Sequence, residues 1–371
     1  MPVLRKTVIQ DFRNISLQEL DFSPGINCIW GGNGEGKTNL LDAIHYLSMT
    51  KSGIQPAEKF NFRHGCSCFA LGGTYLMDDG QESRFAVRVA AGEEKKVTRD
   101  GKPYTRIADH IGVLPIVMVS PADGALVSES GEERRRFANS FISQIDRTHL
   151  TGLQQYGRLL AQRNRLLRDG RPDPELLEAI DAGMEPLAAS IYGQRQAFAV
   201  SLLPVVRRYY EAISGSGEEV GVEYRSDLEG RSFSALMQER LGKDCALGFT
   251  GAGVHRDDFI FTLDGMPLRR CGSQGQQKSF LVALKFAQYE IMKLSYGFPP
   301  ILLLDDLFDK LDMDRAGKLL RMVAGSGFGQ IFLSDTDRTR TEALLGNTST
   351  GKLFLRASGG TFTAIDGQLQ D

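Results

Sequence analysis

The chain has 371 residues, 42% hydrophobic and 24% charged, with 44 Lys and Arg against 46 Asp and Glu. That length exceeds the roughly 250–300 residues at which one hydrophobic core stops growing, so two or more lobes are expected. The near-neutral balance excludes a whole-molecule basic field, and no apolar run approaches the ~20 residues that span a bilayer, so nucleic-acid contact must be local and a membrane permease is excluded.

Met1 to Lys6 leads into a polar-interrupted strand rather than an apolar leader, so no secretory signal is read there. Strands are expected over Val3 to Ile9, Ile15 to Phe22 and Gly25 to Trp30, the last buried through Ile26, Cys28 and Ile29. It runs into Gly31-Gly32-Asn33-Gly34-Glu35-Gly36-Lys37-Thr38, which fits G-x-x-x-x-G-K-[ST]. Asn39 to Met49 then carries Leu40, Leu41, Ile44 and Leu47 at helical spacing. Strand, glycine loop and helix are the context that a phosphate-binding loop requires, with backbone N–H groups converging on phosphate oxygens. Lys37 supplies the point charge on the β- and γ-phosphates, and the Thr38 hydroxyl a ligand for Mg²⁺.

Short strands follow over Cys68 to Leu76, Ser83 to Ala90, Lys95 to Thr98 and Ile116 to Val119, separated by Asp-Gly turns. Of five cysteines only Cys66 and Cys68 are close, at a spacing that suits no common zinc pattern, and a reduced cytoplasmic setting is expected. From about Glu132 the pattern turns helical, with Leu153, Tyr156, Leu160, Leu166 and Leu167 on one face and Pro172 and Pro174 ending it. A second helical stretch starts at Glu175, and a third passes through Tyr209-Tyr210 to Gly215-Ser216-Gly217. Between Glu132 and Arg171 stand nine Arg and four acids, whereas Asp173 to Glu185 holds five acids and no base. One reading is a basic helix lying along nucleic-acid phosphate, with Arg134, Arg135, Arg163 and Arg165 as candidate contacts. The other, favoured on charge patterning, is two packed helices whose opposite charges pair.

Strands return at Val220 to Tyr224 and Phe259 to Leu263. Ser273-Gln274-Gly275-Gln276-Gln277 then precedes an apolar helix over Phe280 to Met292. A serine hydroxyl, a glycine and a helix N-terminus together bind an anion. One triphosphate rarely needs two such cradles, so the second is read as covering the γ-phosphate held by another copy of the chain. Ile301 to Leu304 is an apolar strand ending in Asp305 and Asp306, placing carboxylates where a hard cation needs oxygen ligands and where attacking water needs a base. A helix over Asp314 to Val323 and a strand over Ile331 to Leu333 close the pattern.

Together with Phe12-Arg13-Asn14, Asn39-Leu40-Leu41, Arg163-Asn164 and His255-Arg256-Asp257-Asp258, these motifs resemble the RecF family, DNA replication and repair proteins of the SMC-like branch of ABC ATPases. The resemblance covers nearly the whole chain. It departs at Val254, at Lys278 and around Ser52, where a Ser-x-Arg element is missing. The fold it implies is α/β, an ABC-type P-loop ATPase head of mixed sheets around a central helix with an inserted helical arm lobe. The expected segments are 1–121 for the first part of the ATPase lobe, 122–295 for arm and signature loop, and 296–371 for the rest of the ATPase lobe.

The resemblance further implies Asp305 as the Mg²⁺ ligand, Asp306 as the water-activating acid, and Ser273 with Gly275 acting across an ATP-dependent homodimer. Asp312 resembles a residue at the dimer seam, Arg13 and Asn14 lie near the nucleotide or form a structural turn, and the switch residue is left between Thr336 and Asp337. Cofactors are ATP and Mg²⁺; partners are DNA at single-strand/duplex junctions, RecR, RecO and RecA. An energising subunit of a membrane transporter is the alternative, but 236 positions separate Lys37 from Ser273, which leaves room for an arm. A long SMC-type clamp would need hundreds of heptad residues, and the helical stretch here is far shorter.

Overall fold

The computed structural model describes residues 1–371 except 56, 169–172, 216, 307–314, 316, 320–321, 323–326, 340–341, 343–350 and 366–371. Asp312 and half of the helix expected over Asp314 to Val323 lie outside the described residues, as do Pro172 and Ser216. The chain forms two units, one of residues 1–123, 212–214 and 285–371, the other of 124–211 and 215–284.

The first unit begins with β1 (Val3–Phe12), β2 (Ile15–Asp21), β3 (Ile26–Trp30), α1 (Lys37–Met49), β4 (Cys68–Leu76), β5 (Glu82–Ala90), β6 (Lys96–Arg99), β7 (Lys102–Pro103) and β8 (Ile116–Val119). The second follows with α2 (Ala125–Ser128), α3 (Gly131–Ile145), α4 (Arg147–Arg168), α5 (Pro174–Ser214), β9 (Val220–Arg225), α6 (Phe233–Leu247), β10 (Asp258–Leu263), β11 (Met266–Pro267), α7 (Leu268–Cys271) and the start of α8 (Gln274–Tyr296). The chain then returns to the first unit through β12 (Ile301–Leu304), β13 (Ile331–Asp335), β14 (Lys352–Ser358) and β15 (Thr361–Ala364).

Two six-stranded sheets build the first unit. The antiparallel one has the order β2-β1-β4-β5-β6-β7, and β5 alternates strictly between exposed and buried residues, as a sheet with one wet face requires. The other has the order β15-β14-β3-β13-β12-β8 and is parallel from β14 to β8. β12 and the edge strand β8 are continuous apolar runs, and every residue of β8, β12 and β13 is buried, because both faces are covered. α1 packs on both sheets, and ten of its 13 residues are buried, so it is the central helix. Phe12, Tyr46 and Phe69 lock β1, α1 and β4 edge to face, with centroids 5.1–6.1 Å apart.

In the second unit β11-β10-β9 form a small antiparallel sheet. The two helical stretches expected after Glu175 are one 41-residue helix, α5, despite Pro186 and Pro204 inside it. Leu177, Ile180, Met184, Ala188, Ile191, Arg195, Phe198, Leu202, Val206, Tyr210 and Ile213 are all buried at three- and four-residue steps. That unbroken stripe carries the helix through both prolines, since tertiary packing outweighs the local cost.

Candidate nucleotide-binding site

The parallel sheet brings the separate motifs to one edge. β13 lies between β3 and β12, with Leu333 opposite both Cys28 and Leu304, so the glycine loop, Asp305-Asp306 and Ser334 to Asp337 all leave from the carboxyl ends of neighbouring strands. Ligands of open α/β sheets bind in that position.

The loop needs its glycines for different reasons. Gly34 and Gly36 have φ of 82° and 103°, in the left-handed region. A Cβ on Gly31 would lie 2.6 Å from the Ala357 carbonyl oxygen. Gly36 caps α1 without a side-chain hydrogen bond, and the first turn holds no acid, so backbone N–H groups and the positive helix end face the loop. Lys37 is buried, its Nζ donating to the carbonyls of Gly31 at 2.9 Å and Gly32 at 3.0 Å. Gly32 and Asn33 are exposed, and the Glu35 carboxylate accepts from the Gly359 N–H while its carbonyl accepts from Gly360 at 2.9 Å. The β14–β15 turn therefore clasps the loop, a support that no local sequence signal announced.

Thr38 Oγ1 lies 3.0 Å and 2.9 Å from the two Asp305 carboxylate oxygens, and Ser334 Oγ donates to the same carboxylate at 2.7 Å. Asp305 is 2% exposed, and burial pushes its pKa up against the hydrogen bonds from Ser334 and Thr38, with the nearby Asp306 charge adding to the rise. Asp306 is half-buried at φ 41°, strained for a non-glycine residue, and its N–H donates to Ser334 Oγ at 2.9 Å. A hydroxyl beside a carboxylate is a donor set that fits Mg²⁺. No cluster of three or more His, Cys, Asp or Glu suited to a metal exists among the described residues, so the remaining oxygens would come from phosphate and water. Thr336 and Asp337 are both exposed at the same sheet edge, and the Asp337 N–H donates to the Asp335 carboxylate at 3.1 Å.

Arg13 is a clamp beneath the site. Its guanidinium pairs with the fully buried Asp42 of α1 and donates to Asn39 Oδ1 at 2.9 Å, Ser52 Oγ at 2.9 Å and Asn61 Oδ1 at 3.3 Å. Asn39 Nδ2 in turn donates to Asn14 Oδ1 at 2.8 Å, and the Asn14 amide abuts Gly36, where a Cβ would lie 2.8 Å from it. Asp42 and Ser334 are the supporting side chains that motif reading missed.

In the second unit Ser273 and Gln276 form a reciprocal cap on α8. The Ser273 N–H donates to Gln276 Oε1 at 2.7 Å, and the Gln276 N–H to Ser273 Oγ at 3.2 Å. Gln276 is held by Glu218 at 2.6 Å and Gln277 by the Gly272 carbonyl at 2.8 Å. Ser273 and Gln274 are exposed and Gly275 is half-buried. A hydroxyl that accepts one bond still has its proton to donate to an anion.

Of the arm arginines, Arg163 requires a correction. Arg163 is fully buried, bonded to Asp181 at 2.7 Å, Asp244 at 2.9 Å and Thr250 at 2.9 Å, so it does not meet DNA phosphate. Arg134 forms a two-pronged pair with Asp258 at 2.8 and 2.9 Å, and Arg135 donates to the Asp257 carbonyl. Burial raises the pKa of Asp257, which also accepts from Arg195 at 3.1 Å, so the His255 to Asp258 run joins an internal charge network. Arg165 is exposed. Pairing between elements takes up Arg134, with Asp258 of β10, and Arg163, with Asp181 of α5 and Asp244 of α6, while Arg136 pairs within α3 with Glu132 and Glu133.

Residues 6–158 match the family model described as "AAA domain". The chain is 41% identical over 356 residues to the DNA replication and repair protein RecF of Flavobacterium johnsoniae, covering 95% of this chain and 99% of that protein. It is 37% identical over 365 residues to the RecF of Bacteroides fragilis, covering 98% and 99%. A solved structure of the recombination mediator protein RecF with ATP, from the RecFOR pathway, superposes with a TM-score of 0.89 at 26% identity, covering 98% of both chains. An Smc head domain from Pyrococcus furiosus superposes at 0.58 with 15% identity, a likeness of fold alone. No helix among the described residues is long and apolar enough to cross a membrane.

Proposed function

Because this chain belongs to the RecF family of DNA replication and repair proteins, we propose that it is an ATP-operated DNA clamp in which hydrolysis acts as a timer. The observation that carries this reading is the Thr38–Asp305 contact, which joins the phosphate loop to the acidic strand at one sheet edge. ATP binds with its phosphates on the N–H groups of residues 32–38, and Lys37 Nζ exchanges the Gly31 and Gly32 carbonyls for phosphate oxygens. Thr38 and Asp305 would hold Mg²⁺, which would supply charge neutralisation to the triphosphate. Asp306 orients and deprotonates the attacking water.

Ser273 and the start of α8 cap the γ-phosphate of a second copy, so ATP bridges a homodimer and favours the closed form. The closed dimer binds DNA where duplex meets single strand, acts with RecO and RecR, and helps RecA replace single-strand-binding protein. A timer needs no rapid chemistry, so turnover is slow and responds to DNA. An ATPase assay with no DNA, duplex and gapped duplex tests this. The reading expects slow turnover, highest with gapped duplex and lost in Lys37→Ala. Turnover that ignores DNA, or that survives Lys37→Ala, contradicts it.

A further inference from the structure

With Arg163 and Arg134 committed to internal pairs, the exposed cations of interest lie at the carboxyl ends of α4 and α6 and in the loop that follows α6. α4 and α6 are joined near their carboxyl ends by the Arg163–Asp244 bond, and a Cβ on Gly248, the left-handed cap of α6, would lie 3.5 Å from Arg168 Cγ. Arg165 and Arg168 are exposed in the last turn of α4, and Lys243 is exposed one turn before Leu247 on α6. Past Gly248, Phe249 is 39% exposed, and the exposed Arg256 guanidinium stacks 5.4 Å from its ring centroid. Among the described residues nearby, Asp244 is turned onto Arg163 and the Gly251 N–H, Asp181 onto Arg163, and the exposed Glu239 is paired with Arg231. Cations at a helix C-terminus also offset the macrodipole, which accounts for Arg165 and Arg168. It does not account for an arginine held over a solvent-facing phenylalanine outside any helix.

We propose that this patch binds one nucleic-acid strand, with phosphates on Arg165, Arg168, Lys243 and Arg256 and an unstacked base on Phe249. The proposal rests on the DNA-binding reading above and adds a site to it. The aromatic face selects the occupant, since a ring offers stacking only to a base free of its duplex neighbours, whereas a duplex backbone would use the cations alone.

The test uses the full chain with ATP and Mg²⁺, a labelled oligo-dT strand and a duplex of equal length, read by fluorescence anisotropy. Phe249→Ala is expected to weaken the strand roughly tenfold and leave the duplex unchanged, while Phe249→Trp keeps strand affinity. Arg165→Ala with Arg256→Ala should flatten the log-affinity against log-salt slope for the strand by about 1.4, at ~0.7 per phosphate lost. Equal strand affinity of wild type and Phe249→Ala, or equal losses on strand and duplex, overturns the patch. A wild type with no DNA affinity in ATP overturns the clamp reading as well, so the two failures are distinguishable.

Discussion

Thr38 Oγ1 and the Asp305 carboxylate, 267 residues apart in sequence, lie within 3.0 Å of each other at the edge of the parallel sheet. The parallel pairing of β12 and β3 with β13 fixes that meeting, and Ser334 of β13 bonds the same carboxylate. Asp305→Asn keeps an oxygen for Thr38 and Ser334 but loses the charge that holds a cation. It is expected to fold normally and to lower Mg²⁺-dependent turnover on the order of 10²-fold, about 2.7 kcal/mol at the transition state. A magnesium titration of ATP turnover, with a thermal melt as the folding control, checks this; turnover within a few-fold of wild type would remove Asp305 from the metal site.

Gly360 couples the terminal hairpin to the phosphate loop. Its φ is 83°, its N–H reaches the Glu35 carbonyl, and an added Cβ would lie 2.3 Å from the Asn14 carbonyl oxygen. Gly360→Ala should cost about 1–3 kcal/mol of stability and weaken ATP binding. Trp30, the one tryptophan in the chain, directly precedes Gly31, so its fluorescence can report nucleotide binding. Undiminished ATP affinity in Gly360→Ala would show that the clasp does not support the loop.

That clasp shows where sequence reading stops. The glycine loop and the acidic strand are local patterns with local chemistry, and their residues stand in the elements expected, whereas Gln274 to Gln277, read as a loop ahead of a helix at Phe280, already lie in the first turn of α8. β14 and β15 carry no motif and matter only because they pack beside β3, which is a long-range fact. The basic run left Arg163 among the candidate phosphate contacts, although charge patterning favoured helix pairing, because composition records how many cations a segment has, not which face of the helix they take. α6 escaped notice because Gly242 interrupts a weakly patterned stretch, and its start rests on one cap from Ser232 to the Ala235 N–H at 3.3 Å.

Removing Arg163 should act on folding. Arg163→Ala leaves the fully buried Asp244 without its cation, and breaking such a pair costs about 3–5 kcal/mol. The double variant Arg163→Met, Asp244→Leu should lose less than the sum of its single changes. Denaturant midpoints decide. A midpoint unchanged by Arg163→Ala alongside weakened DNA binding would restore Arg163 as a phosphate contact.

Acid sensitivity of the second unit should trace in part to His255. Burial pushes its pKa down to about 4, with the Arg256 and Arg135 charges also lowering it and the hydrogen bond to the Thr250 carbonyl opposing. Between about 4 and the ordinary 6.5 the unfolded chain binds a proton that the folded chain refuses. The contribution is therefore fully present above about 6.5 and is lost as pH falls toward 4. His255→Gln, which can donate to Thr250 and accept from Tyr156, should flatten midpoint against pH in that window. A slope equal to wild type would assign the sensitivity to other groups.

The central claim is that a triphosphate held by residues 31–38 of one copy is closed over by Ser273 of another. Sedimentation velocity of the 40.9 kDa chain, with and without ATP and Mg²⁺, tests it most directly. The account expects a doubled mass with ATP, absent in Lys37→Ala and weakened in Ser273→Arg; an unchanged monomer at saturating nucleotide would contradict it.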